Sequence, residues 1–349
     1  MIGQYDLLQW SRCLFGHGTF AHLTPSPSSS LRNAACVLTP CDGRFTARDR
    51  HGAKAQSVVP THNQIVAHRA DPNAKGCVSH MTQVTIAAEQ QADIIATAHA
   101  AADAAREITL KYFRGMSLDT QSKLDRGFDP VTVADRGAEL AMRDIIGKMR
   151  PDDAIHGEEF PVKSGTSGLT WVLDPIDGTR GFISGTPTWG VLIACRDETQ
   201  VHLGIIDQPY IGERFFGGFG SATLTGPHGT KPLVTRGGVA LADAIIFTTF
   251  PEVGTAQDRK GFETVAQACK LTRYGMDCYA YALLAAGQID LVIEAGLQPY
   301  DILGPIGVIE AAGGVVTDWQ GNSAQKGGRI VAAGSKALLT EALTMLNGA

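Results

Sequence analysis

The chain has 349 residues, 44% of them apolar and 19% charged, with a formal net charge of −5 at pH 7. That length allows one large or two ordinary domains, and the apolar fraction is ample for a sizeable core. The acidic balance gives no general electrostatic case for nucleic acid or an anionic membrane, and no apolar run approaches the roughly 20 residues a membrane helix needs.

Residues 1–80 differ from the rest: four Asp, no Glu, eight Lys or Arg, six of the ten histidines and four of the seven cysteines, Cys13, Cys36, Cys41 and Cys77. Helix or strand periodicity is absent, and Pro25-Ser-Pro-Ser-Ser-Ser30 is flexible. A signal peptide needs a charged start and a continuous apolar stretch, and neither occurs; the acid-poor, Arg- and Ser-containing composition has a weak transit-peptide character. Without a C-x₂-C pair a cysteine–histidine metal module is unsupported. The segment reads as an unstructured leader, ahead of a true start at Met81.

From Thr82 the pattern turns helical. Ile94, Ile95, Ala98, Ala101, Ala102, Ala105, Ile108 and Phe113 recur at three- and four-residue steps, one apolar stripe on a long scaffold helix. Lys123 falls in a polar loop. Asp129-Pro-Val-Thr-Val-Ala-Asp135 reads as a turn and short strand opening a helix over 136–149, with Asp135 placed to cap it. After the break at Pro151, residues 153–156 form a short strand leading into Gly157-Glu158-Glu159-Phe160. Neighbours on an extended chain point to opposite sides, so one of Glu158 and Glu159 faces a site and the other does not. Residues 163–168, rich in Ser and Gly, form a mobile loop.

Residues 171–173 read as a buried strand. Pro175 drives Asp174 out of helical conformation, Gly178 permits a tight turn, and Thr179 starts a helix. Such a turn offers Asp174, Asp177, the Ile176 carbonyl and the N–H groups of Gly178 and Thr179. Oxygen ligands suit a hard divalent cation such as Mg²⁺, backbone N–H groups suit phosphate, and the two together mean phosphoryl chemistry. A lone D-P-x-D-G-T is equally a solvated turn; the acids at 158–159 and 301, each where a strand runs out, favour the metal.

Strands at 190–195 and 201–206 pair across the turn 196–199, and further strands at 213–216 and 222–224 extend an antiparallel sheet. Gly226-Pro-His-Gly-Thr230 is the expected boundary between a domain over 81–228 and one over 229–349. The second half alternates: strand 244–248, helix 258–268, strand 271–273, helix 278–286, strand 289–293, helix 303–312, strands 315–317 and 330–333, helix 336–346. This is the mark of a layered α/β domain. Gln298-Pro-Tyr-Asp301 lies between the strand 289–293 and its helix. Cys195, Cys269 and Cys278 read as reduced thiols of a cytoplasmic protein.

Gly157-Glu-Glu159, Asp174-Pro-Ile-Asp-Gly-Thr179 and Tyr300-Asp301 followed by Gly304-Pro-Ile-Gly-Val-Ile-Glu-Ala-Ala-Gly-Gly-Val-Val-Thr-Asp318 together resemble the inositol-monophosphatase-like superfamily of Mg²⁺-dependent, lithium-sensitive phosphatases. The resemblance covers roughly residues 84–345. Within it, Asp177-Gly-Thr-Arg-Gly-Phe-Ile-Ser-Gly185, Pro187-Thr-Trp-Gly190 and Asp277-Cys-Tyr-Ala-Tyr-Ala-Leu-Leu-Ala-Ala-Gly287 look most like histidinol-phosphate phosphatases. Inositol phosphatases more usually carry Thr-Asn where this chain has Arg180-Gly181.

The resemblance implies an α+β first half and an α/β second half in a five-layer αβαβα sandwich, with two to three Mg²⁺ ions between the halves. One ion would be held by Glu158, Asp174 and the Ile176 carbonyl, a second by Asp174, Asp177 and Asp301, and a third, weaker one beside Glu158. Asp135 would hydrogen-bond Thr179 and with it aim the attacking water; Glu159 would support Glu158, and Lys123 would lie near the metals. The Gly178 and Thr179 amides would bind phosphate. Asp277 and Glu294 would border the organic half of the substrate and favour the cationic amine of histidinol phosphate, although Asp277 serves equally as a helix cap. Arg180 and Arg273 would contact phosphate or pair with these acids. An inositol or sugar-phosphate phosphatase is the alternative, a non-catalytic metal-dependent regulator the alternative of another class, and a homodimer the expected assembly. A nucleotide 3′-phosphatase fits less well, since that branch has Lys-Glu-Phe where this chain has Arg180-Gly181-Phe182.

Overall fold

A computed structural model describes residues 86–115, 120–122 and 130–348; the expectations for residues 1–80, Met81 and Lys123 lie outside the described residues. The stripe over 94–113 becomes α1 (Ala88–Tyr112), burying Ile94, Ala98, Ala101, Ala102 and Ala105. Thr97 and Thr109 share that stripe because each hydroxyl donates to a carbonyl one turn back, Asp93 at 2.7 Å and Ala105 at 3.0 Å. Two short strands, β1 (Thr120–Ser122) and β2 (Pro130–Thr132), pair antiparallel, and β2 runs straight into α2 (Val133–Met149). The helix therefore begins three residues before Arg136. Asp135 lies inside its first turn rather than capping it, still favourably placed against the free N–H groups there.

Next come β3 (Ala154–Gly157), β4 (Thr170–Asp177), α3 (Thr179–Ser184), β5 (Gly190–Arg196), β6 (Val201–Gln208), β7 (Glu213–Gly218), β8 (Ser221–Gly226) and β9 (Gly229–Pro232). These seven strands form one sheet in chain order, antiparallel except for the β3–β4 pair. The expected boundary at 228–229 falls at the β8–β9 turn, and β9 belongs to this first sheet. The loop over 163–168 is tied down: Lys163 pairs with Ile155, and the Thr166 and Ser167 amides donate to the Asp152 carbonyl.

The acidic stretch is not a turn. β4 continues through it to Asp177, with Asp174 opposite Leu192 but Asp177 opposite Gly190, three steps against two. That extra residue makes a bulge, where Pro175, lacking an N–H, interrupts no ladder bond.

The chain continues with β10 (Ile245–Thr248), α4 (Ala256–Ala268), β11 (Leu271–Tyr274), α5 (Asp277–Ala285), β12 (Leu291–Leu297), α6 (Pro299–Ala311), β13 (Val315–Asp318), β14 (Gly328–Ala333) and α7 (Lys336–Gly348). The second sheet runs β11-β10-β12-β14-β13. Its β10 is parallel to β11 and β12, whereas β14 is antiparallel to β12 and β13. Three apolar cores fill the four interfaces of five layers, the largest lying on both faces of the central one: α1 and α2 on the first sheet, α5 and α6 between the sheets, α4 and α7 outside the second. Among the described residues no helix is long and apolar enough to cross a membrane.

The central layer is packed at backbone distance. A Cβ on Gly204 of β6 would overlap the Gly304 carbonyl of α6, and one on Gly307 would lie 2.8 Å from the Gly204 Cα. Glycines at this crossing bring α6 down onto the sheet, and Asp301 in its first turn comes with it.

Candidate active site

The ends of β4, β10 and β12 and the starts of α3, α5 and α6 surround a cavity of about 340 Å³, with Asp177, Thr179, Asp277, Glu294 and Asp301 in its wall. At one end Asp174, Asp177 and Asp301 each offer a carboxylate oxygen, all within 4.8 Å of one another. Each carboxylate is fixed by one backbone amide. Asp174 accepts from Ile176 N–H at 3.0 Å, Asp177 from Cys278 N–H at 2.7 Å and Asp301 from Gln298 N–H at 2.7 Å.

Burial raises the Asp174 carboxyl well above the usual carboxylate range, and the charges of Glu158, Asp177 and Asp301 raise it further. Burial and the charges of Asp301, Asp277 and Glu294 do the same to Asp177. Asp301 is pushed up to about 7, by burial first and by the charges of Glu158 and Glu294, against the opposing Gln298 and Asp174 hydrogen bonds. Such a concentration of anions, Asp174 buried and Asp177 and Asp301 half-buried, is unfavourable by itself. Its all-oxygen donor set fits a hard divalent cation, whose charge would reverse the repulsion.

Glu158 follows β3, and its N–H donates to the Leu173 carbonyl of β4 at 3.2 Å. It stands outside the mutual trio, close enough that its charge is the largest raising Asp174 after burial. Glu159 turns the other way: its side chain is buried and pairs with Arg136 of α2 at 3.7 Å. Asp135 is buried, and its charge also reaches Asp174. The Thr179 hydroxyl donates to the Ile176 carbonyl at 3.2 Å.

Gly178 precedes α3 with φ of +85°, and a Cβ there would lie 2.7 Å from the Asp277 Cγ. The position therefore needs glycine for conformation and for space. Asp277 is no helix cap. Met276 holds that place and Asp277 is the first residue of α5, at φ +45°, a left-handed conformation an aspartate adopts with strain. Its Oδ2 accepts from the Thr188 hydroxyl at 3.0 Å. Burial raises its pKa, opposed by Thr188 and the Arg180 charge.

Glu294 is buried with both oxygens engaged, Oε1 by the Thr249 amide at 3.0 Å and hydroxyl at 2.5 Å, Oε2 by the Tyr281 hydroxyl at 3.1 Å. Burial pushes it up to about 7 although these bonds oppose the shift. The Arg180 guanidinium stacks on Phe250, 4.8 Å from the ring centre. Arg273 is exposed on the edge strand β11 and is not among the residues lining the cavity.

Residues 248–250 and Tyr281 were not anticipated at the site. The signal available for 248–250 was position, since they follow a parallel strand at its carboxyl end, where α/β sheets gather ligands. Glu139, fully buried on α2, accepts the Glu159 N–H at 2.6 Å. Its spacing to Arg143 reads in sequence as an ordinary exposed helix pair.

Residues 90–347 match the inositol monophosphatase family. The Arabidopsis thaliana protein named bifunctional phosphatase IMPL2, chloroplastic, is 38% identical over 303 residues, 86% of each chain. The histidinol-phosphatase of Chlorobaculum parvum is 34% identical over 63% of this chain and 83% of its own. A solved inositol monophosphatase from Zymomonas mobilis superposes with a TM-score of 0.65 at 39% identity, over 73% of this chain and 98% of its own.

Proposed function

The chain belongs to the inositol monophosphatase family, a family of phosphatases, and from that premise we propose that it is a Mg²⁺-dependent histidinol-phosphate phosphatase releasing L-histidinol and phosphate. One observation carries the reading: three carboxylates gathered within 4.8 Å at one end of a cavity whose wall holds two more acids, the buried Glu294 and the half-buried Asp277. Asp174, Asp177 and Asp301, with Glu158 and the Ile176 carbonyl, would hold two to three Mg²⁺, which when bound polarise phosphoryl oxygens and acidify water.

The protein's own groups do the positioning. The Gly178 and Thr179 amides bind phosphate oxygens in this reading. The Thr179 hydroxyl, beside the Ile176 carbonyl, and Asp135 orient the water whose oxygen bonds to phosphorus as the ester P–O bond breaks. Asp277 and Glu294 attract the amine of the leaving alcohol, and burial strengthens that attraction relative to water. Arg180, the residue after Thr179, lies in the same wall, and its charge favours the ionised form of Asp277. The names of the Chlorobaculum and Streptomyces coelicolor relatives, both histidinol-phosphatases, support the substrate. The Zymomonas structure, described as an inositol monophosphatase, supports the alternative of inositol phosphate.

Comparing kcat/KM for L-histidinol phosphate and inositol 1-phosphate, with Mg²⁺ and with EDTA, decides between them. At least a tenfold preference for histidinol phosphate is expected. The reverse preference overturns the substrate, and no metal-dependent turnover on either overturns the enzyme. The reading includes a cytoplasmic homodimer without nucleic-acid affinity. Among the described residues Cys195, Cys269 and Cys278 are free thiols, which supports a reducing compartment, and light scattering tests the dimer.

A further inference from the structure

We infer that Glu139 is a positioning residue for the metal-holding Glu158, acting through the backbone on either side of it; this rests on the reading of Glu158 as a metal ligand. Glu139 lies in the interior of α2 with no solvent exposure, a costly place for a carboxylate unless every lone pair is used. Its Oε1 accepts from Arg143 Nε at 2.6 Å, one turn along the helix. Its Oε2 accepts from the Glu159 N–H, also at 2.6 Å, the length of a charge-assisted bond. On the other side of Glu158, Gly157 leaves the space the carboxylate occupies, because a Cβ there would overlap Glu139 Oε1 and Cδ. Gly157 is not at positive φ, so glycine is required there for room rather than for conformation.

The segment 157–160 is thus clamped along its length from α2. Besides Glu139, the second arm of Arg143 donates to the Phe160 carbonyl at 3.0 Å, and Arg136 stacks on the Phe160 ring at 4.5 Å. The Glu158 N–H is held at 3.2 Å by the Leu173 carbonyl, one residue before Asp174. Glu158 is left with its backbone fixed on both sides and only its side chain to choose a direction. Glu139 is not among the residues lining the cavity. Its charge fixes the main chain from which a ligand projects, as outer partners of metal sites do.

Glu139→Gln keeps the shape but puts an amide where Arg143 and the Glu159 N–H need a carboxylate. Titration calorimetry with Mn²⁺ alone, on EDTA-stripped full-length protein, is expected to show a Kd raised about 10- to 100-fold, the range for lost outer partners. kcat with Mg²⁺ is expected to fall by a similar factor and KM to move less. Gly157→Ala, which displaces the same carboxylate, should act in the same direction and is read alone if Glu139→Gln does not fold. Asp197→Asn, remote from the cluster at the β5–β6 turn, is the control: it should lower Tm and leave the Mn²⁺ Kd unchanged. A folded Glu139→Gln or Gly157→Ala protein binding Mn²⁺ within twofold of the parent overturns the inference and leaves the hydrolase reading standing. A parent protein that does not bind Mn²⁺ removes both.

Discussion

Asp277 is held at φ +45° with its carboxylate against the space Gly178 leaves and on the Thr188 hydroxyl. A strained, half-buried acid in a substrate cavity is what selection for a cationic group would leave behind. Asp277→Asn keeps the Thr188 contact and removes the charge. It should lower kcat/KM for histidinol phosphate about 10- to 100-fold, the value of a charged over a neutral hydrogen bond. Turnover of inositol phosphate should change less than about threefold, and equal losses on both substrates would show that Asp277 only supports the turn. Asp301→Asn acts on every substrate. Removing one of three cluster carboxylates should lower kcat about 10³-fold or more, given the several kcal/mol of charge stabilisation a bound ion supplies. At this scale the acids were legible, because Pro175, Gly178 and Pro299 punctuate the chain beside them. Their partners were not. Thr249 reaches Glu294 across 45 residues and Tyr281 does so from α5; only the tertiary fold puts such neutral groups beside a carboxylate.

Elements, rather than residues, decide the distances between those acids. Asp174 and Asp177 share β4, and the bulge between them re-aims the strand so that Asp177 meets the Cys278 amide at the start of α5. In sequence Pro175 reads as a break that ends the strand at 173; in the structure the proline sits where the ladder already skips a residue. Likewise α6 was expected from 303 and begins at Pro299, whose fixed φ suits the first helical turn. That earlier start makes Asp301 part of a rigid element, with its Oδ2 on the Gln298 amide. The depth of α6 is set by Gly204 and Gly307. Gly307→Ala puts a methyl group against the β6 backbone, and overpacking of this kind costs about 1–3 kcal/mol. The variant should unfold at lower denaturant and bind Mn²⁺ more weakly, because Asp301 moves out with the helix. Unchanged metal affinity in a destabilised protein would separate the packing of α6 from the site.

Across the whole molecule, the halves were legible from their periodicities: alternating short strands before 226, strand and helix in turn afterwards. What escaped was non-local. β9 lies beyond the expected boundary yet completes the first sheet, and β14 inserts antiparallel between β12 and β13, an order the succession of elements does not specify. The layering brings buried acids together from both halves, and that makes stability depend on pH and metal in a determinate way. Asp301 and Glu294 stand at about 7 in the metal-free protein, whereas unfolded carboxyls titrate near ~4. Between those values the folded state binds more protons than the unfolded one. Stability of metal-free protein therefore rises as pH falls from 8 towards 5 and is lost as pH rises through 7. Asp197 acts in the opposite sense and in a lower window. Burial would raise its carboxyl, but the Thr199 hydroxyl and amide, the Gln200 amide and His202 hold it well below the usual range. Its contribution is complete above about pH 4 and disappears as pH falls further. Thermal scans of EDTA-treated protein should thus show Tm rising by a few degrees from pH 8 to 5, at about 2–4 °C per kcal/mol for a domain of this size, then falling below pH 4. Mg²⁺ at about 100 times its Kd should add about 2.7 kcal/mol and abolish the rise, since cation and proton compete for the same oxygens. A metal-free Tm that is flat between pH 8 and 5 would mean the carboxylates do not repel one another as their burial and spacing require.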